Sequence, residues 1–169
     1  YRNKMEFSFS DSRWLTPEEI QEKDTIEDRN ALGFHIPGMW DKILDIKKCH
    51  LQADPSNEMR LFVKQFAIAE GITFFNPRNH TGELRTLMIR TSSNGEYMIL
   101  VQFCENNPTN RIKLLEAIKT QFPSITSLQY VINQKANDTI YDQEVICFSG
   151  RDHIIEEMEG LQFKINAKS

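Results

Sequence analysis

The sequence is short of cysteine, of clustered glycine and of long apolar runs, and each shortage excludes a class of protein. Its three cysteines are widely spaced with no C-x-x-C pair, which excludes a disulfide-dense scaffold or a self-contained zinc or cluster site. No apolar run reaches the roughly 20 residues of a membrane span, and nothing resembles a secretion signal. We therefore predict a cytoplasmic protein with no membrane partner.

The usual catalytic motifs are also absent. The seven glycines are scattered singly, so no phosphate-binding loop is present, and neither a G-x-S-x-G nor an H-E-x-x-H motif occurs. A net charge of −4 argues against nucleic acid as the default partner. The exception is the stretch from Phe75 to Arg90, where Arg78, His80 and Arg85 are opposed only by Glu83. The planar guanidinium of arginine can bind phosphate with two N–H groups, so this stretch could contact nucleic acid. On charge alone, a solvated surface loop is the favoured interpretation.

The pattern of apolar residues predicts an α+β fold, an antiparallel sheet with two main helices. From Lys42 to Asn133 the predicted order is β-α-β-β-α-β, as in the ferredoxin-like split βαβ arrangement. Residues 1–41 and 134–169 are predicted to add short antiparallel strands, forming one sub-lobe beside a ferredoxin-like insert at residues 42–133.

Two local predictions concern packing and register. The second main helix, after Pro108, is predicted to bury a stripe of four residues: Ile112, Leu115, Ile118 and Phe122. The dipeptide Asn94-Gly95 predicts a two-residue type I′ turn, which places Arg90 opposite Ile99. Strict alternation along the first strand of this hairpin places Arg85 and Arg90 on opposite faces.

The stretch DIKKCHL leaves three roles open for Cys49: a small buried hydrophobe, a reactive thiol, or one ligand of a metal site. Its neighbour His50 is an unsuitable second ligand, because adjacent residues of a strand point to opposite faces. From the residues alone, core packing is the favoured role.

Four stretches, read in order, resemble the RNA uracil-C5 methyltransferase family and look most like its ribosomal branch. They are YRNKMEFSFS, LGFHIPGMWDKILDIKKCHL, RNHTGELRTLMIRTSSNGE and NDTIYDQEVICFSGRDHI. The resemblance implies that residues 1–169 are the central domain of a longer protein, between an N-terminal TRAM barrel and a C-terminal domain that binds S-adenosylmethionine.

In this family a cysteine thiolate attacks C6 of an unstacked uracil, C5 takes the methyl group, and a base removes the C5 proton. The resemblance assigns those groups to the C-terminal domain. No catalytic or cofactor-binding residue is therefore expected here, and the segment by itself should neither bind S-adenosylmethionine nor methylate RNA.

The resemblance also implies a role for Cys49. In members that hold a 4Fe–4S cluster, the fourth cysteine follows a strand end like DIKKC, and the other three lie upstream in a C-x5-C-x2-C run. Cys49 matches that fourth ligand, and the remaining three are expected before Tyr1. Cys104 and Cys147 have no such match and are expected to be packing residues.

Two functional hypotheses follow. In the first, the segment contacts RNA, with ribosomal RNA favoured over tRNA, through basic residues that bind phosphates: Arg2, Lys4, Arg78, His80 and Arg85. Arg90 is expected to be structural. In the second, the segment only spaces the other two domains and touches no RNA, as its acidic total suggests.

Overall fold

The computed structural model describes residues 3–22 and 28–169. The helices are α1 (Pro17–Gln21), α2 (Ser56–Ala69) and α3 (Pro108–Gln121). The strands are β1 (Lys4–Ser10), β2 (Ala31–Ile36), β3 (Met39–Asp45), β4 (Leu84–Thr91), β5 (Tyr97–Phe103), β6 (Ser127–Ile132), β7 (Ile146–Gly150), β8 (His153–Met158) and β9 (Leu161–Asn166). The α+β prediction with two main helices is confirmed, since α2 and α3 have 14 residues each and α1 only five.

Seven strands form one sheet in the order β3-β2-β1-β4-β5-β6-β7, and β8 pairs with β9 separately. Only β5 and β6 run parallel, joined by α3; the other pairs in the sheet are antiparallel. The predicted element order from β3 to β6 is present, but the neighbours differ from a ferredoxin-like arrangement. β3 lies at the sheet edge, separated from β4 by the two strands β2 and β1. The first strands therefore belong to the main sheet rather than to a separate sub-lobe.

Both faces of the sheet are covered at its centre, where β4 and β5 lie. On one face, side chains of β1, β4 and β5 pack against α2 and α3 in the main core: Met5, Phe7, Phe9, Leu87, Ile89, Ile99, Val101, Met59, Val63, Leu115 and Ile118. On the opposite face, Met88, Met98 and Leu100 form a smaller core with Ile154 of β8. No helix in the described part of the chain is long and apolar enough to cross a membrane.

The buried stripe of α3 matches the prediction at two of four positions. Leu115 and Ile118 are buried as expected, and Leu114 is buried beside them. Ile112 is 51% exposed, so its predicted burial is wrong. Phe122 caps the C-terminal end of α3 and is only partly buried against the main core.

The β4–β5 hairpin has a longer turn than predicted. Ser92 N donates to Glu96 O at 3.0 Å, so three residues close the turn, and Gly95 has φ 84°. A left-handed glycine at the end of a three-residue loop is a common hairpin solution. Arg90 consequently lies opposite Met98, and the predicted pairing with Ile99 is wrong by one residue.

A bulge near the start of β4 decides which face receives Arg85. The register passes from Leu84 opposite Phe103 to Thr86 opposite Gln102, which leaves Arg85 as an extra residue. Arg85 lines the same cleft as Thr86, on the sheet face away from the helices. The predicted placement of Arg85 and Arg90 on opposite faces is therefore wrong, because one inserted residue breaks the alternation.

Candidate functional site

An irregular stretch, residues 133–139, crosses the sheet face that points away from the helices; we call it the crossing segment. Buried amide side chains hold it in place. Asn133 Nδ2 donates to the carbonyls of Asn137 and Thr139, both at 3.2 Å. Gln102 Nε2 donates to Asp138 O at 3.1 Å, and Gln102 Oε1 accepts from Asn133 Nδ2 at 2.8 Å. The backbone carbonyls of the crossing segment, which have no strand partner, therefore accept hydrogen bonds from these buried side chains.

Arg85 fixes the start of the crossing segment. Its Nη1 donates to Asn133 O at 3.1 Å and to Lys135 O at 2.7 Å, and its Nη2 donates to Ala136 O at 2.9 Å. Burial lowers the pKa of Arg85, although arginine stays protonated in proteins. Because the residue is only 5% exposed and its guanidinium is occupied by three carbonyls, the predicted phosphate contact of Arg85 does not fit the structure.

The loop of residues 76–81 is closed on itself and presents Arg78 to solvent. Asn76 N donates to Thr81 O at 2.7 Å, and Asn76 Oδ1 accepts from the backbone N–H of Arg78 at 3.0 Å. Gly82 ends the loop with φ 105°, and a Cβ there would lie 2.2 Å from Phe74 O. The loop therefore requires glycine at this position.

His80 lies in the same loop and contacts the crossing segment. Its Nε2 is 2.8 Å from Gln134 O, so this nitrogen carries a proton and donates it. Its ring packs edge-on against Phe75, with 5.4 Å between ring centroids. Arg85 stacks over the same Phe75 ring, with Cζ 4.8 Å from the centroid. The structure thus brings His80 and Arg85 together around Phe75, and both side chains bind backbone carbonyls of this chain.

A cleft of about 230 Å³ opens between the crossing segment, the β2–β3 hairpin and Phe75; we call it the Trp40 cleft. Its lining includes Ser8, His35, Trp40, Asp41, Phe75 and Asn137. Trp40 is 64% exposed, which is unusual for so large an apolar side chain. Ser8 Oγ and His35 Nε2 lie 3.2 Å apart on the floor between β1 and β2.

Arg78 stands at the rim of the Trp40 cleft. Its Nε donates to Asp41 Oδ2 at 2.5 Å, and this bond from Arg78 holds the pKa of Asp41 below its usual value. The Arg78 side chain is 68% exposed while that of Asp41 is 8% exposed. The two Nη groups of Arg78 donate no hydrogen bond within residues 3–22 and 28–169, so they are available to a ligand.

The other predicted basic residues are placed differently. Lys4 is exposed on the same sheet face, in a neighbouring hollow, with its Nζ 3.6 Å from Glu6. Arg90 is buried and donates to the Ser169 carbonyl, as its expected structural role requires. Arg2 lies outside the described residues, so its predicted contact stays a prediction.

Cys49 is 6% exposed and belongs to the main core. Its N–H donates to Asn57 Oδ1 at 2.7 Å, Asn57 Nδ2 donates to its carbonyl at 3.1 Å, and Arg60 Nη2 donates to Asn57 Oδ1 at 2.9 Å. Among the described residues, no three His, Cys, Asp or Glu side chains are grouped closely enough to hold a metal. Cys49 thus supplies one possible ligand, and these residues alone do not fit a cluster.

The other two cysteines lack the features of a nucleophile. Burial raises the pKa of Cys104, and desolvation is also the largest cause that raises the pKa of Cys147. A nucleophilic cysteine needs the opposite shift. Cys104 is buried, as predicted for a packing residue, but Cys147 is exposed and that part of the prediction is wrong.

Comparison with known proteins matches the whole chain to one group. It is 56% identical over 174 residues to a protein of Porphyromonas gingivalis described as an uncharacterized RNA methyltransferase, covering 100% of this chain and 37% of that protein. Similarly described proteins of Bacteroides thetaiotaomicron and Chlorobaculum tepidum are 50% and 32% identical, again over 100% of this chain. The chain belongs to this RNA methyltransferase family. It spans between 36% and 38% of the length of these three relatives.

The fold is also found in a solved structure. The structure of Pyrococcus abyssi tRNA (uracil-54, C5)-methyltransferase in complex with S-adenosyl-L-homocysteine matches with a TM-score of 0.68 at 23% identity. The match covers 98% of this chain and 35% of that one. No family model matches the sequence.

Sequence patterns missed the residues that build the Trp40 cleft. Trp40 follows a Pro-Gly turn on an edge strand, where an aromatic residue reads as part of a strand. One signal was present: Gln102 and Asn133 are amides within or directly after strongly apolar strands, and buried amides require partners.

We predict that Arg85→Ala lowers the free energy of unfolding by about 2–4 kcal/mol, because it leaves three carbonyls of the crossing segment without their charged donor. Urea denaturation of this chain measures the change. Lys113→Ala is the control, since its ion pair with Glu70 is exposed at both ends and contributes about 1 kcal/mol or less. Equal midpoints for the two variants would contradict the role assigned to Arg85. If Arg85→Ala does not fold, Arg85→Lys provides the comparison.

Proposed function

We propose that the chain is a non-catalytic, RNA-contacting part of an S-adenosylmethionine-dependent RNA uracil-C5 methyltransferase. The whole-chain match to RNA methyltransferases supports the enzyme class. The fold shared with a tRNA uracil-C5 methyltransferase bound to S-adenosyl-L-homocysteine supports carbon 5 of uracil as the methylated atom and S-adenosylmethionine as the methyl donor.

The observation that carries the RNA-contacting role is the Arg78 side chain. It is held by Asp41 at one nitrogen, is mostly exposed, and stands on a loop closed by its own hydrogen bonds. A guanidinium fixed in this way loses little freedom when its outer amino groups bind a phosphate. Lys4, exposed on the same sheet face, is a second proposed contact. The spacer hypothesis requires neither feature.

The proposed substrate is 23S ribosomal RNA, as the sequence resemblance implies, and the proposed location is the cytoplasm. A tRNA substrate is the second candidate, because the matching solved structure is a tRNA methyltransferase. The proposed partners within a longer protein are a TRAM barrel and a methyltransferase domain. These would supply the cysteine nucleophile, the base and the S-adenosylmethionine site.

Cys49 is proposed as one ligand of a 4Fe–4S cluster whose other cysteines lie in the remainder of such a protein. Two features support this role. Its backbone is fixed on both sides by Asn57, which would preorient the thiolate. The guanidinium of Arg60 lies close enough to interact with Cys49, and a positive neighbour favours an anionic cluster. When bound, the cluster would tie the stretch around Cys49 to that remainder.

We predict that this chain binds single-stranded RNA with an affinity that falls as salt rises, and that Arg78→Ala reduces the slope of log K against log salt by about 0.7. Loss of one phosphate contact causes both the weaker binding and the flatter slope. Fluorescence anisotropy of a labelled oligoribonucleotide at several salt concentrations measures them.

Two controls isolate the contact of Arg78 from net charge. The double variant Arg78→Ala/Asp41→Asn has the parent's net charge and should still show the flatter slope. Arg151→Ala removes an arginine that is paired with Glu96 away from the Trp40 cleft, and should keep the parent slope. Parent-like slopes in every variant would favour the spacer hypothesis.

We also predict that Cys49→Ser lowers the iron content and the visible absorbance of a full-length protein that carries the upstream cysteines, because one of four thiolates is lost. Cys147→Ser, which alters an exposed thiol elsewhere, should leave both values unchanged. Equal iron content in the Cys49→Ser and Cys147→Ser proteins would show that Cys49 is a packing residue and not a cluster ligand.

A further inference from the structure

The Trp40 cleft combines an exposed aromatic face with fixed polar groups. The Trp40 indole lies at the mouth, 64% exposed, on β3 directly after the β2–β3 turn. Opposite it, the Phe75 ring is held on one side by Arg85 and at its edge by His80. Two aromatic walls, one of them rigidly supported, suit a flat ring better than an extended aliphatic chain.

The polar groups of the cleft can recognise the edge of such a ring. Asp138 and Asn137 belong to the crossing segment, whose backbone is fixed by Gln102 and Asn133. Ser8 and His35 provide further groups on the opposite side. Asn137 Oδ1 accepts from Thr139 N at 3.2 Å and from Thr139 Oγ1 at 2.6 Å, so the Asp138 carboxylate is the acceptor offered to a ligand. A carboxylate accepts from the amino and imino N–H groups of nucleobases, which single-stranded RNA exposes.

Size and charge limit what can occupy the cleft. At about 230 Å³ it is smaller than the roughly 300–1,000 Å³ of pockets that enclose a whole drug-sized ligand, so it has room for one ring system. Asp41 and Asp138 in the lining disfavour a phosphate inside. Arg78, bonded to Asp41 of the lining, is exposed, and its two Nη groups donate no hydrogen bond within residues 3–22 and 28–169. These groups suit a phosphate outside the cleft.

We propose that the Trp40 cleft receives one unstacked base of single-stranded RNA, stacked on the Trp40 indole, while Arg78 binds a phosphate flanking that base. This inference rests on the proposed function, since it assumes that the chain contacts RNA, and it adds the place and the mode of contact. Stacking is tolerant of base identity. The Asp138 carboxylate favours bases with N–H donors at their edge.

Affinity and salt dependence separate the two contacts. Trp40→Ala should weaken binding of an oligoribonucleotide about 5- to 100-fold without changing the salt slope, because stacking involves no ion release. Trp40→Phe should recover part of the loss. Phe163→Ala removes an exposed ring from β9, outside the Trp40 cleft, and should bind as the parent does.

Fluorescence reports the stacking directly. The chain has two tryptophans, Trp14 and Trp40, so in a Trp14→Phe background all tryptophan emission comes from Trp40. The oligoribonucleotide should quench this emission saturably. Inorganic polyphosphate, which carries charge but no base, should leave it unchanged.

Each alternative has its own outcome. If Trp40→Ala binds RNA as tightly as the parent while Arg78→Ala still flattens the salt slope, the proposed function stands and this inference fails. The Trp40 cleft would then be assigned to a protein partner. If uridine monophosphate quenches as tightly as the oligonucleotide, the site binds free nucleotide and the RNA assignment is overturned. If neither the parent nor any variant binds RNA at low salt, the proposed function and this inference both fail.

Discussion

A guanidinium removed from water must find acceptors for its N–H groups, and Arg85 finds three on one short stretch of backbone. Those acceptors are carbonyls of the crossing segment, so the side chain is satisfied only when that segment lies across the sheet. The bulge in β4 is what turns Arg85 to this face. Arg85, together with Gln102 and Asn133, therefore fixes the backbone that forms one wall of the Trp40 cleft.

The two faces of the sheet have different tasks. The helix-covered face holds the larger apolar core, with a polar group of Asn57 and Arg60 at its margin, and supplies most of the hydrophobic stabilisation. The other face carries buried amides, the buried Arg85 and Arg90, and an irregular segment. Burial of such polar groups contributes less to stability than burial of the same area of apolar surface. Rigid strands beneath irregular backbone are a common basis for binding sites, since the scaffold fixes side chains that loops expose. This division is why we assign RNA contact to the second face.

Local signals in the sequence predicted local structure well. The capping box at Thr16 is present, with Glu19 N donating to Thr16 Oγ1 at 3.2 Å, and the Pro37-Gly38 turn joins β2 to β3. Strand order was not predictable in this way, because alternation shows which face a residue occupies but not which strand is its neighbour. The face occupied by Arg85 was also not predictable, since one bulge residue changes the face of the residues on one side of it relative to those on the other. The Trp40 cleft joins residues from distant parts of the chain, and only the tertiary fold brings them together.

The central claim is that RNA binds the sheet face bearing the Trp40 cleft rather than the face covered by α2 and α3. Photo-crosslinking of this chain to an oligoribonucleotide containing 4-thiouridine, followed by mass spectrometry of the peptides, tests it most directly. We expect adducts on the peptides that contain Trp40 and Phe75, reduced when polyphosphate competes for Arg78. Adducts confined to the exposed surfaces of α2 and α3 would contradict the account.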